Sequence, residues 1–121
     1  MQINTHHINN IQIAEIIQLS DLPLQLDELI NTLGSVYFMG INKMIIYQKN
    51  LPQAFFDLKT GFAGELLQKF SNYNMQLAIV GNFNNLDSKS LNDFIFESNK
   101  MRRVNFVSSF NQALNLLSQN E

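Results

Sequence analysis

The residues best suited to chemistry form a short polar segment directly before a predicted helix. Asp57, Lys59 and Thr60 precede Gly61 in the stretch DLKTG. A threonine at a helix start accepts a hydrogen bond from a backbone amide, which stabilises the helix by about 1 kcal/mol. That position also lies at the positive end of the helix dipole, where an anion or a phosphoryl group is favoured. The segment therefore predicts either a plain cap at Thr60 or a cap that also binds an anion or is phosphorylated.

A second polar segment, GNFNNLDSKS at residues 81–90, offers further groups. Lys59 and Lys89 could clamp a phosphate between the two segments, although two solvated lysines are the simpler interpretation. Asp57 or Asp93 could act as an acid or base, but a carboxylate beside a helix start is usually a solvated capping group. We assign no catalytic residue. The candidates for ligand binding or phosphorylation are Asp57, Lys59, Thr60, Gly61, Gly64, Asn82, Ser88, Lys89 and Ser90.

Several kinds of site are disfavoured. His6 and His7 are adjacent on a predicted strand, so their side chains point to opposite faces and do not chelate one metal ion together. The chain has no cysteine, which excludes disulfides, a thiol nucleophile and thiolate metal ligands. The stretch GFAG has two glycines, whereas a dinucleotide fingerprint needs three, so Gly64 is expected to permit close helix–sheet packing. We therefore expect no metal and no cofactor, and an enzyme ranks last among the candidate functions.

Composition and charge limit the classes of partner that the protein is expected to bind. The 121 residues suit one domain spanning 1–121, and a net charge of −2 lacks the basic footprint of a nucleic-acid-binding protein. The basic cluster KMRR at residues 100–103 is most simply a turn that compensates a helix dipole. The N-terminus has no signal-peptide pattern, and no apolar run approaches the length that spans a bilayer. The expectation is a cytoplasmic protein that binds neither nucleic acid nor membrane.

Hydrophobic periodicity predicts alternating strands and helices. Two β-branched runs at 1–8 and 11–17 flank Asn9-Asn10, which predicts a tight hairpin. Later apolar runs without clean alternation suit strands covered by helices on both faces. The predicted later strands are 44–47, 75–80 and 104–107, and the predicted helices begin near Leu26, Phe62, Ser88 and Ser109. Residues 90–93, SLND, could form a capping box.

The resulting order, ββαβαβαβα, predicts a single α/β domain with a mixed, mostly parallel sheet flanked by helices. Sites in such sheets collect at the carboxyl ends of the strands. The loops 48–61 and 81–90 follow the third and fourth strands, so neighbouring strands would bring them face to face. The hairpin would also supply an edge strand through which a homodimer could pair. Gln2, Asn4 and His6 could equally blunt that edge, which leaves the oligomeric state open.

Four stretches carry a resemblance to a known bacterial family. They are FFDLKTGFAGELLQKFSNY, QLAIVGNF, SKSLNDFIFESN and NFVSSFNQAL. In this order and over nearly the full chain, they resemble the bacterial domain-of-unknown-function family 4180. That resemblance implies no established activity.

A more distant resemblance is to the STAS domain of sulfate transporters and anti-sigma factor antagonists. Asp57 and the run Thr60-Gly61-Phe62 are similar to the STAS segment in which an aspartate precedes a phosphorylatable serine or threonine and a glycine. Here two residues separate Asp57 from Thr60, where the STAS pattern has one. The resemblance thus implies a STAS-like fold more strongly than it implies phosphorylation of Thr60.

Three functions follow as hypotheses. The first is a STAS-like regulatory or protein-interaction module that presents the helix start at Thr60 to a protein partner. The second is a protein that binds a small anionic ligand between the 57–61 and 82–90 loops. The third is an enzyme that uses Asp57 or Asp93 as acid or base.

Overall fold

The computed structural model describes residues 1–20, 22–84 and 86–119, which form a five-stranded sheet with helices on both faces. Its elements are β1 (Gln2–Ile8), β2 (Ile11–Ile17), α1 (Leu26–Phe38), β3 (Lys43–Tyr47), the short α2 (Gln53–Phe56), α3 (Phe62–Asn72), β4 (Gln76–Val80), α4 (Lys89–Met101), β5 (Val104–Val107) and α5 (Phe110–Leu117). The α/β class and the order of the main elements, as predicted from the sequence, are confirmed.

The strands lie in the order β1-β2-β3-β4-β5, with β1 at one edge. β1 and β2 pair antiparallel, and each later pair is parallel. Asn9 and Asn10 join the hairpin with φ values of 54° and 66°. Two consecutive positive φ angles match the right-handed twist of paired strands, and asparagine tolerates them better than most residues. The predicted hairpin and its place at an edge are therefore confirmed.

The two faces of the sheet are covered unequally. On one face, residues of α1, α3 and α4, such as Leu33, Leu66 and Ile95, share a core with the sheet. On the other face, Ala113 and Leu117 of α5 pack with residues of β2, β3 and β4. Helices on both sides explain why the inner strands are continuous apolar runs. On this second face, α5 packs mainly on β4 and β5.

Serine hydroxyls cap the last two helices of the fold. Ser109 Oγ accepts a hydrogen bond of 3.1 Å from the Gln112 amide at the start of α5, as expected. At α4 the cap is Ser88, whose Oγ accepts from the Leu91 amide at 3.2 Å. The predicted capping box at residues 90–93 is therefore wrong. Ser90 lies in the first turn, and Asp93 forms an ion pair with Lys89 at 2.9 Å.

Candidate functional site

The two polar loops emerge from neighbouring strands at the same edge of the sheet. β3 and β4 pair in parallel, and their last residues, Tyr47 and Val80, are register partners. The chain after each strand must therefore leave from adjacent points at the carboxyl edge. We call the surface formed by α2, the 57–61 turn and the 81–88 loop the carboxyl-edge surface. Asn85, within the predicted loop, lies outside the described residues.

Gln48 fixes the distance between the two loops. Its Oε1 accepts a hydrogen bond of 2.9 Å from the Asn82 amide, across the gap between the ends of β3 and β4. Gly81 makes this approach possible, since a Cβ built there would lie 2.5 Å from Gln48 Cβ. Asn82 Oδ1 in turn accepts from the Asn84 amide at 3.2 Å. The start of the second loop is thus held against the start of the first.

Aromatic rings make the second contact between the loops. Phe56 of α2 and Phe83 of the 81–88 loop are both half-buried, with ring centroids 6.3 Å apart. Phe83 also packs edge-on against Phe106 of β5 at 5.1 Å. Beneath them, Phe55 is fully buried. A shallow depression of about 430 Å³ borders Phe56 and is also lined by Gln53, Ala54 and Asp57.

The turn that contains Asp57 and Thr60 is closed by its own side chains. Asp57 Oδ1 accepts from the Lys59 amide at 3.2 Å and caps a 3-10 turn over Leu58–Thr60. The Thr60 hydroxyl lies 2.6 Å from the Ala54 carbonyl oxygen, to which it donates. It also accepts from the Phe62 amide at 3.2 Å. Thr60 therefore ties α2 to the start of α3.

The start of α3 differs in detail from the prediction. The helix begins at Phe62, and the capping position belongs to Gly61, which has a φ of 76°. Thr60 ends the preceding 3-10 turn rather than opening α3, because a left-handed residue must lie between the two. Glycine is suited to that residue, since it lacks the Cβ that disfavours positive φ. The predicted hydrogen bond from the first turn of α3 to the Thr60 hydroxyl is nevertheless present.

Gly64 does not have its predicted packing role. It lies on the exposed side of α3, and a Cβ built there would meet no atom within 4 Å. The helix is therefore not held close to the sheet by this glycine. Gly64 instead lines an open groove between α3 and α4, together with Leu67 and Phe94.

The charged candidates are not gathered into one site. Lys89 pairs with Asp93 one turn along α4, and the Asp93 carboxylate raises the pKa of the Lys89 ammonium. The Ser88 hydroxyl is occupied in capping α4. Among the described residues, the ring contacts and hydrogen bonds that join the two loops involve none of Lys59, Thr60, Ser88 and Lys89. Asp57 and Asp93 are both exposed, and each is bonded within its own segment.

One cluster of titratable residues was not predicted from the sequence. On the sheet face beside α5, Glu15 of β2 is buried and bonds to His6 and Tyr47. His6 Nε2 lies 2.8 Å from Glu15 Oε1, and the Tyr47 hydroxyl donates to Glu15 Oε2. Burial, and then the hydrogen bond and charge of Glu15, raise the pKa of the Tyr47 phenol above its usual range. The signal in the sequence was a carboxylate at an inward position of a strand, aligned with Ile11 and Ile13.

The histidines are arranged as the strand period predicts. His6 is half-buried against the ring of Phe110 at 5.3 Å, whereas His7 is exposed. Over residues 1–20, 22–84 and 86–119, no three histidine, aspartate or glutamate side chains are grouped to hold a metal ion. In the same part of the chain, no helix combines the length and apolar character that crossing a membrane requires.

The sequence and the fold of this chain were compared with those of known proteins. A family model described as domain of unknown function (DUF4180) matches residues 8–117. A solved structure from Thermotoga maritima, described as a "putative anti-sigma factor antagonist", shares 13% identity and a TM-score of 0.49. The match covers 97% of this chain and 95% of that chain. No curated protein matches the sequence. The family named in the first comparison is the one that the sequence motifs predicted.

Proposed function

Because the chain belongs to the DUF4180 family, whose description assigns no activity, we propose its function from the carboxyl-edge surface. The protein is a STAS-like regulatory module of the bacterial cytoplasm that docks a protein partner on this surface. Its working elements are the aromatic pair Phe56–Phe83 and the turn closed by Thr60. Whether the module acts as a monomer or as a homodimer paired along β1 is independent of this docking role.

The observation that carries the proposal is the half-buried Phe56–Phe83 pair, which spans two loops at the edge where α/β sheets carry their sites. Half-buried aromatic rings beside a shallow depression are typical anchors for a protein interface. The polar side chains around them, of Asp57, Thr60 and Asn82, form hydrogen bonds with backbone groups of nearby residues. The carboxyl-edge surface thus combines apolar rings with polar groups that already have hydrogen-bond partners within the protein. This combination favours a protein partner over a small polar ligand.

Thr60 provides the point of regulation. Its hydroxyl donates to the Ala54 carbonyl, and Ala54 lies in the same short helix as Phe56. A phosphoryl group on Oγ1 would remove that donor and add about −1.5 to −2 charges beside the Phe62 amide. The bond that ties α2 to the 3-10 turn would be lost, so the position of Phe56 would change. Phosphorylation by a kinase would then alter docking through a local rearrangement.

The binding of a small anionic ligand by Lys59, Thr60, Ser88 and Lys89 ranks second. Lys89 already pairs with Asp93, and Ser88 already caps α4, so both would have to exchange a partner. An enzyme that uses Asp57 or Asp93 ranks third, since both carboxylates lie exposed on separate segments.

The test is a pull-down from a lysate of the native bacterium with matched baits. Gln53→Lys places a charge beside the depression at an exposed position, and Phe56→Ala removes one anchor ring. Phe96→Ala is the control, because Phe96 is a 61% exposed phenylalanine on α4, outside the carboxyl-edge surface. We expect the wild type and Phe96→Ala to enrich one partner equally. Gln53→Lys and Phe56→Ala should each enrich it about tenfold less, which corresponds to about 1.4 kcal/mol of binding free energy. A partner retained equally by all four baits, or no enriched protein, contradicts the proposal.

A further inference from the structure

The opposite edge of the sheet, where the parallel strands begin, carries a small polar pocket of about 210 Å³. Three cations and three side-chain amides line it: Lys43, Arg102 and Arg103, with Asn42, Asn74 and Gln76. None of the described residues that line this pocket is acidic. Such a lining contrasts with the full chain, whose net charge is −2. A local excess of cationic and amide donors around a small volume is suited to an oxyanion.

Arg103 is held in place before any ligand arrives. The residue is half-buried, and its Nη1 donates to Asn74 Oδ1 and to the Met75 carbonyl oxygen, both at 3.1 Å. These bonds use one nitrogen of the guanidinium, whose other N–H groups form the planar fork that matches a phosphate or carboxylate. A guanidinium fixed by two acceptors loses little further freedom when it binds an anion. Its place in the pocket is therefore preorganised.

The amides of the pocket fix the backbone around Arg102. Lys43 Nζ donates to Gln76 Oε1 at 2.5 Å, and Gln76 Nε2 donates to the Arg102 carbonyl at 2.7 Å. The buried Asn105 side chain donates to the same carbonyl at 3.1 Å. The beginnings of β3 and β4 are thus tied to the end of α4 by side chains, which keeps Lys43 of β3 beside the consecutive residues Arg102 and Arg103.

Two residues of the pocket adopt the left-handed backbone conformation. Asn74 has a φ of 53° and Arg102 a φ of 59°. Arg102 ends α4, where the left-handed residue is most often glycine because a side chain is disfavoured there. The charge of Arg102 compensates the helix dipole. That explanation does not extend to Arg103, which lies beyond the helix and inside the pocket.

An aromatic depression adjoins the pocket. It shares Asn42 and Asn74 with the pocket, has a volume of about 750 Å³, and is also lined by Tyr37 and Tyr73, whose ring centroids are 4.9 Å apart. Phe38, on its border, is 88% exposed. Exposed aromatic rings next to an oxyanion pocket provide an apolar surface for the group that carries the anion.

We propose that this amino-edge pocket binds the phosphoryl group of a small phosphate monoester, and that the adjoining Tyr37–Tyr73 depression receives its apolar or aromatic group. The phosphoryl group would contact Arg102 and Arg103. This site lies at the opposite end of the strands from the carboxyl-edge surface and does not depend on the proposed docking function. It also differs from the predicted ligand residues, none of which lines it.

The test uses phenyl phosphate, inorganic phosphate and phenol as probes, measured by titration calorimetry at constant ionic strength. We expect saturable binding of phenyl phosphate, weaker binding of inorganic phosphate and none of phenol. Arg103→Gln should weaken binding about tenfold or more, since a charge-assisted hydrogen bond is lost. Arg102→Gly should also weaken it, while its melting temperature stays the same or rises because glycine favours the left-handed conformation.

Lys49→Gln is the matched control, because Lys49 is an exposed cation after the carboxyl end of β3 and does not line the pocket. Its affinity for phenyl phosphate should equal that of the wild type. Absence of saturable binding, or equal weakening by Lys49→Gln, overturns the proposed site. Equal affinity for phenyl phosphate and inorganic phosphate overturns the role of the aromatic depression.

Discussion

Gly81 at the end of β4 lies directly against the side chain of Gln48 at the end of β3. A Cβ built on Gly81 would lie 2.5 Å from Gln48 Cβ and 2.9 Å from Gln48 Cδ, closer than carbon atoms pack. The same Gln48 side chain accepts the hydrogen bond from the Asn82 amide. The absence of a side chain at residue 81 is therefore what allows the two loops of the carboxyl edge to meet.

Gly81→Ala should destabilise the protein. Gln48 must move away from the added methyl group, and the hydrogen bond to the Asn82 amide is lost with it. We expect a loss of about 1–3 kcal/mol in the free energy of unfolding, measured by urea denaturation. Gln48→Ala should not rescue this variant, because the Cβ of residue 48 remains in place, whereas Gln48→Gly should restore part of the loss. An unchanged midpoint for Gly81→Ala contradicts the close contact.

Gly64→Ala should have the opposite effect. Gly64 is inside α3 and exposed, with open space around the position of a Cβ. Alanine is favoured over glycine in a helix interior by roughly 0.5–1 kcal/mol, since the unfolded chain has less backbone freedom to lose. The urea midpoint should rise with an unchanged slope. A destabilised Gly64→Ala would instead support the packing role that the sequence predicted for this glycine.

Replacing the Thr60 hydroxyl tests its structural role separately from any modification. Thr60→Val keeps the shape but loses the bond to the Ala54 carbonyl and the bond from the Phe62 amide. Because the site is exposed and water can replace both partners, we expect a loss at the low end of the usual range, about 0.5–1 kcal/mol. Thr60→Ser retains the hydroxyl as both donor and acceptor and should lose less stability. Equal stability of the valine and serine variants would mean that the hydroxyl does not hold α2.

The Asn50 side chain should be replaceable with a gain in stability. Asn50 is 2% exposed, and both polar atoms of its side chain are buried without a hydrogen-bond partner among the described residues. Burial of an unsatisfied amide costs about 1–3 kcal/mol. Asn50→Leu, which has a similar size, should therefore raise the free energy of unfolding by roughly 1 kcal/mol. The main-chain bond from the Leu24 amide to the Asn50 carbonyl is unaffected by the change. A destabilised leucine variant would show that the amide has a partner in solution.

Stability at alkaline pH should report on Tyr47. Its pKa in the folded protein is raised above the ordinary tyrosine value of about 10, first by burial and then by Glu15. The neutral phenol therefore favours the folded state. This contribution is complete below about pH 10 and is lost as the pH rises through the folded pKa.

The measurement is the urea midpoint of the wild type, Tyr47→Phe and Tyr73→Phe between about pH 9 and pH 11. The wild type and Tyr73→Phe should lose stability more steeply than Tyr47→Phe, because Tyr73 has no hydrogen bond to Glu15 among the described contacts. Parallel curves for all three proteins contradict the coupling of Tyr47 to Glu15.

The sequence by itself determined the family, the order of the main elements and the hairpin. Helical and strand periods, the pair Asn9-Asn10 and the Ser109 cap all depend on residues within a few positions of one another, so local sequence defines them. It also indicated that the loops after β3 and β4 would meet if their strands were neighbours. It failed locally at the capping box of residues 90–93 and at the cap of α3. The caps there are Ser88 and Gly61, each within two residues of the predicted cap and of similar capping ability.

Tertiary structure decided which distant side chains meet. Glu15 bonds to Tyr47, 32 residues later, and Lys43 bonds to Gln76, 33 residues later. Neither pair follows from a period or a motif, because each depends on which strands are neighbours and in which register they pair. The same holds for the sheet faces, since strand alternation predicts two faces but not that α5 alone among the described helices would pack on one of them. Helix and strand formation is governed by local contacts, whereas sites are built by long-range packing.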